Sequence, residues 1–298
     1  MRRAIALLIT LMFVMVISVA IGYGLTQLKK ASKIVQDEDI LYKSTMVLSD
    51  ILEILKTAPQ INQLADANAS DELYIFLQTA QSLPLDIANE KVVVSFKSAN
   101  SKININMLNK NNEALFRNFF NRYMVGSSYI DIVKECMRNN QAKDEYNNSF
   151  SSLFDINPTL FRQYIASKEH LEKINTFYIA EYGDTNLKNI PFDELFCYSA
   201  DQNQTIDLNY VSAVAWEMIL DTSAERAEEL FLGEGSYKSL DDLNLTPQEK
   251  VNISKFKTTF FAPYILVDIE LIHKESISKI RFTYDIKLQR GYDFVFEV

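Results

Sequence analysis

The chain has 298 residues, 48% of them hydrophobic, and a formal net charge of −9, so it can bury a substantial core and carries more acid than base. Nucleic acid is not expected as a direct partner, because phosphate binding relies on clustered Lys and Arg that this sequence does not show. Seven glycines and six prolines exclude a low-complexity linker protein, and a folded, mostly helical structure is expected.

Met1-Arg2-Arg3-Ala4 precede Ile5–Gly24, twenty residues without a charge. As a helix this run is about 30 Å long, the thickness of a bilayer's hydrocarbon core. Three readings are open: a secretory signal cut after Ser18-Val19-Ala20, an uncut signal anchor, or a short basic leader cut between Ala4 and Ile5. Apolar spacing continues through Leu28, Ala31, Val35, Leu41, Leu48, Ile51, Leu52 and Leu55. It predicts one helix from Ile5 to about Lys56, ended by Pro59, or two helices broken near Gly22-Tyr23-Gly24.

A second helix is predicted over about Asp71–Ser82, stopped by Pro84. The pattern then turns to β at Lys91–Lys97 and Lys102–Leu108, which read as a hairpin. From Glu113 to about Glu181 the spacing is helical, with Phe116, Phe119, Phe120, Tyr123, Ile130, Val133 and Met137, then Leu160, Tyr164, Leu171 and Ile174. A third section opens at Gln204-Thr205-Ile206-Asp207-Leu208-Asn209 and continues as two short helices. It closes in an antiparallel meander of Tyr264–His273, Ser278–Gln289 and Tyr292–Val298. The fold class expected is α+β, with β material bracketing a helical insertion, or alternatively two domains in tandem.

Cys136 and Cys197 are the whole cysteine inventory, and they read either as a disulfide pair or as two separate buried thiols. His170 and His273 have no spaced partners, so no zinc site is expected. There is no G-x-S-x-G, no H-E-x-x-H and no glycine-rich phosphate loop, and an enzyme is not expected.

Ser101-Lys102-Ile103-Asn104-Ile105-Asn106-Met107-Leu108 resembles the "G-K-hydrophobe-N-hydrophobe-N-x-L" strand of the large minor pseudopilins of type II secretion systems, the K-class subunits. Gln204–Asn209, followed by Ser212-Ala213 and a helix, is similar to that family's second repeat, "V-N-hydrophobe-N-T-A". Serial order matches over nearly the whole chain: leader, apolar helix, first N-x-N strand, helical insertion, second strand, a segment like Tyr237–Leu243, and C-terminal strands. Arg3-Ala4-Ile5 resembles a prepilin cleavage site. The second repeat departs from the family at Asp207 and at Tyr210-Val211, and Ser128-Tyr129-Ile130-Asp131 stands where "D-W-I-D" is expected.

The resemblance implies the following layout: a prepilin leader at 1–4, a transmembrane helix at 5–24 and its periplasmic continuation at 25–57. A pilin-like head would comprise 58–108 and 205–298, with an inserted helical domain at 109–204. Prepilin peptidase would cut between Ala4 and Ile5, and the new amine of Ile5 would be a methylation site. Ile9 stands at the fifth mature position, where most pilins carry a glutamate that pairs with a neighbour's terminal amine; K-class subunits lack it, and a tip subunit has no neighbour above to pair with.

The family site residues map to Asn104, Asn106, Asp207 and Asn209. No cofactor is assigned; the family has calcium-binding acidic loops, but Asp155, Asp184 and Asp193 are scattered and no ligands are assigned. Partners implied are other minor pseudopilins, the major pseudopilin, prepilin peptidase and the bacterial inner membrane, with the C-terminal domain periplasmic. The function implied is initiation and capping of a periplasmic pseudopilus, in secretion or in a related DNA-uptake machine. The alternative is a membrane-anchored competence protein that binds DNA through a helix-hairpin-helix segment between Ile206 and Leu243; its turn, Leu220-Asp221-Thr222-Ser223, carries an acid where a glycine would suit phosphate.

Overall fold

The computed structural model of the protein describes residues 38–65, 70–87, 90–137, 151–158, 160–273 and 276–297. Ala4, Ile5, Ile9 and the whole run 5–24 lie outside these residues. Among the described residues no helix is long and apolar enough to cross a membrane.

Helix α1 covers residues 38–57 and buries Ile40, Ser44, Val47, Leu48, Ile51 and Leu55, spaced three and four apart along one face. Its register corrects the expected stripe at one point, since Ile40 is the core residue and Leu41 is 47% exposed. Buried Ser44 explains why apolarity alone misplaced this turn; it donates to Ser278 Oγ at 2.9 Å and so fits a core position. Pro59 opens a short helix α2, Pro59–Gln63, as its first residue. Helix α3, Ser70–Thr79, buries Leu73 and Leu77.

The expected hairpin forms differently. β1, Leu83–Ile87, pairs with β2, Glu90–Ser98. Pro84 lies within β1, which is tolerable because β1 is the edge of the sheet. The chain then leaves the sheet and returns in an antiparallel meander of β7, Tyr264–His273, β8, Ser276–Asp285, and β9, Arg290–Glu297. The five-stranded order is β1-β2-β7-β8-β9, all antiparallel. Ile265, Val267, Ile269 and Leu271 alternate into a core with α1, α3 and β8, as a sheet with one covered face requires. The intervening positions carry Lys279–Glu270 and Arg281–Asp268 pairs on the open face. The α+β class and the C-terminal meander are therefore as the sequence predicted.

Between β2 and β7 lies a helical body with a core of its own. Two-residue strands β3, Ile103–Asn104, and β4, Phe196–Cys197, frame its first part. That part contains α4, Glu113–Arg122, α5, Ser128–Cys136, α6, Ser151–Ile156, α7, Lys168–Tyr182, and α8, Phe192–Leu195. Strands β5, Ile206–Asp207, and β6, Thr258–Thr259, frame the second part, with α9, Ala213–Leu220, α10, Ala224–Leu232, and α11, Pro247–Ile253.

One apolar cluster runs through both parts from Ile103 to Phe256. The core therefore does not divide at 108 and 204, the boundaries drawn for the insertion, because Trp216, Leu230 and Ile253 pack in the same cluster as Phe116 and Ile174.

Candidate functional site

Residues 102–108 do not form the expected alternating strand. Ile103–Leu108 are buried on both parities, and only Ile103 and Asn104 pair, in parallel, with Phe196 and Cys197. A 3₁₀ turn follows at Ile105–Met107. Side-chain amides explain the difference, since they satisfy backbone groups that a ladder would otherwise need. Asn104 Oδ1 accepts from the N–H of Asn106 at 3.1 Å, and its amide donates to the carbonyls of Ser199 at 3.0 Å and Asp201 at 2.8 Å. Asn106 grips Ile165 at both ends, accepting from its N–H at 2.7 Å and donating to its carbonyl at 2.9 Å.

The second motif builds the same object. Ile206 and Asp207 pair in parallel with Thr258 and Thr259, and a 3₁₀ turn follows at Leu208–Tyr210. Asp207 accepts from the N–H of Asn209 at 3.2 Å. Asn209 grips Tyr237 as Asn106 grips Ile165, accepting at 3.0 Å and donating at 2.8 Å. Asp207 differs from Asn104 in its remote partner, the N–H of Ala262 at 2.8 Å, which a carboxylate oxygen accepts directly. Burial pushes the Asp207 carboxyl up to about 7, against the lowering pull of the Asn209 and Ala262 N–H groups. All four family positions are thus buried structural ties rather than open ligands.

These ties sit where the two cores join. Asp207 N–H donates to Asn100 just past β2, and Ala262 lies just before β7. Tyr74 of α3 covers Gly235, whose φ of +78° and 2.3 Å clearance leave no room for a Cβ. Lys238 meets Asp71 at 3.1 Å beside it. Sequence reasoning missed this contact; its faint signal was a glycine between Glu234 and Ser236 in a glycine-poor chain.

The direction of α1 fixes the polarity of the head. Near its start, Lys43 donates to Glu90 at 2.7 Å and lies 3.1 Å from His273, at one end of β2 and β7. That contact holds the Lys43 ammonium above its usual range and the Glu90 carboxyl below its own, chiefly through their shared hydrogen bond. Just beyond its far end, Asn62 accepts from Gln289 at 2.9 Å. The helical body leaves after Ser98 and returns before Tyr264, whose carbonyl accepts from Ala99 at 3.0 Å. The body therefore stands at the end of the sheet opposite the start of α1, about 30 Å away along a nine-residue strand.

Other predicted residues are placed as follows. Cys136 and Cys197 are not bonded, which corrects the disulfide reading in favour of two separate thiols. Burial pushes them up to about 12 and about 11, and the single S–H of Cys197 has two acceptors within reach, Gln204 Oε1 at 3.5 Å and the carbonyl of Lys102 at 3.7 Å. Asp184 caps a 3₁₀ turn, and Asp193 pairs with Lys168 at 2.7 Å. Among the described residues no group of three or more His, Cys, Asp or Glu could hold a metal ion. In the α9–α10 turn, Asp221 adopts the left-handed conformation and accepts from Arg122 at 2.8 Å and Asn118 at 2.7 Å, which turns its carboxylate toward α4.

No family model and no curated protein matches the chain. Among solved structures it is similar to a chain of the GspK-GspI-GspJ complex from the enterotoxigenic Escherichia coli Type 2 Secretion System. The similarity has a TM-score of 0.60 at 11% identity, over 88% of this chain and 99% of that one. The fold is pseudopilin-like. At that identity the likeness concerns architecture, and the coverage extends over sheet and helical body alike.

Proposed function

We propose that this chain is a minor pseudopilin, a non-enzymatic subunit that initiates and caps a periplasmic pseudopilus. Its leader is cut between Ala4 and Ile5, the Ile5 amine is methylated, and residues 5–24 hold it in the inner membrane before packing in the fibre. Its partners are other minor pseudopilins and the major pseudopilin. The observation that carries the reading is the polarity of the head. The helical body, whose core runs from Ile103 to Phe256, stands at the end opposite the start of α1, so it faces away from the membrane and obstructs stacking above. Growth then proceeds only from below. Likeness to a chain from a secretion-system complex of three proteins supports the choice of partners. DNA binding through α9–α10 is the less favoured reading, because Asp221 puts an acid at the turn and Glu225 another at the start of α10.

The intact N-terminus of the membrane-extracted protein tests the proposal. A chain beginning at Ile5, methylated or not, is the expected result. A chain beginning at Met1 or at Ile21 overturns it in favour of a plain anchor or a secreted protein.

A further inference from the structure

An asparagine followed two residues later by serine or threonine, with no proline between, occurs five times, at Asn68, Asn147, Asn203, Asn244 and Asn252. Four of these five have an acid two residues before the asparagine, namely Asp66, Glu145, Asp201 and Asp242, while Asn252 follows Lys250. Acids make up 39 of the 298 residues, so composition alone would place one there in fewer than one of the five. Acid-x-N-x-S/T is the acceptor pattern of bacterial N-linked glycosylation. The hydroxyl is held together with the acceptor amide, and the carboxylate gives the transferase a charged anchor.

Geometry separates the five. Asn68 and Asn147 lie outside the described residues. Asn252 is 2% exposed and donates to the carbonyl of Leu220 at 2.8 Å, so its amide is already engaged. Asn244 is exposed, but Leu243 and Leu245 on either side are buried, and the Thr246 hydroxyl caps α11 by accepting from the N–H of Glu249 at 3.3 Å. Drawing that stretch into an enzyme cleft would strip two leucines from the core. Asn203 has no such tie. Asp201, Gln202 and Asn203 are all exposed in the turn between β4 and β5, and the side chains of Asn203 and Thr205 make no hydrogen bond among the described residues. The flanks of the turn are held, since the Asp201 carbonyl accepts from Asn104 at 2.8 Å and Gln204 donates to Asn100 at 3.4 Å. The Asp201 carboxylate accepts from the N–H of Asn203 at 2.9 Å, which shapes the bend and keeps acid, acceptor amide and hydroxyl in one surface turn.

We propose that Asn203 is an N-glycosylation site that takes an oligosaccharide from a polyprenyl-pyrophosphate donor. In the transfer, Asn203 Nδ2 bonds to the anomeric carbon of the first sugar, and that carbon's bond to the pyrophosphate oxygen breaks. The polyprenyl pyrophosphate leaves with the electron pair, the amide gives up one proton to a base of the transferase, and nothing is oxidised or reduced. The proposal rests on the pseudopilin reading for its periplasmic head, the compartment in which such a transferase acts. A glycan here would stand where the helical body meets the sheet, because Gln204 is bonded to Asn100 just past β2. It would cover that surface with a hydrated, bulky group.

The test is mass spectrometry of the full-length chain purified from its native membrane, intact and as proteolytic peptides. The expected result is an oligosaccharide on the peptide containing Asn203, with Asn244 and Asn252 unmodified. Asn203→Gln, Asp201→Asn and Thr205→Ala should each remove that mass, while Thr205→Ser retains it. Asp201→Asn keeps the oxygen that shapes the turn and removes only the charge, so it reads recognition rather than folding. An unmodified Asn203 overturns the proposal. So does a glycan that survives Asp201→Asn or Thr205→Ala, because its attachment would then owe nothing to the motif. Protease treatment of spheroplasts separates the two levels of the account: a head digested from outside with Asn203 bare sinks the glycan alone, whereas a protected head sinks the pseudopilin reading.

Discussion

Residues 103–107 and 206–210 fold into the same object from different side chains. Each makes a two-residue parallel pair and a 3₁₀ turn, and each has at its fourth position an asparagine that bonds both backbone groups of a distant residue. The difference lies at the first polar position. Asn104 has carbonyls of Ser199 and Asp201 to reach and needs donors, whereas Asp207 has remote and local N–H groups to accept from and needs none. The partner's chemistry selects amide or acid, and the acid brings a titration into the core that the amide does not.

The comparison is broken most severely by Asn104→Asp. It sets a buried carboxylate against two carbonyl oxygens and should cost roughly 5 kcal/mol at pH 8, read by urea unfolding. Next in size is the pH response of Asp207. Its folded value is raised to about 7 from 3.8, so the fold favours the protonated acid. Stability is then fully present below about pH 4 and is lost as pH rises to about 7, by at most about 4 kcal/mol. Asp207→Asn should flatten that slope, and an unchanged slope would assign it to other groups.

A smaller effect is expected at the join between the cores. Gly235→Ala must displace the Tyr74 ring and adopt a strained φ, for about 2 kcal/mol, and Tyr74→Ala in the same chain should relieve the steric part. The smallest concerns the thiols. A reductant should leave the melting temperature unchanged, and Cys136 should react with a thiol reagent only after unfolding, since it is buried and its thiol is raised to about 12.

Period-2 and period-3.6 patterns made much of this fold legible. The meander over β7, β8 and β9 follows from alternation, because one face is buried and one is wet. Helix α4 was visible in Phe116, Phe119 and Phe120 for the equivalent reason. Misreadings arose where side-chain amides replaced a backbone ladder. Ile103-Asn104-Ile105-Asn106 alternates like a half-buried strand, yet its asparagines are as buried as its isoleucines. The motif was thus visible as a motif and misread as an element. The extent of the helical core was illegible for another reason: Trp216 and Leu230 are separated from Phe116 by about one hundred residues, and only tertiary packing brings them together. Nothing in local spacing marked Tyr74 and Gly235 as neighbours.

In the proposed function the helical body lies at the membrane-distal end of a pilin-like head and stops growth above it. Immunogold labelling of that body on isolated pseudopili tests this most directly. The account predicts a single label at one end of each fibre. Labels repeated along the fibre would contradict it, because a subunit with room for another above it cannot be a cap.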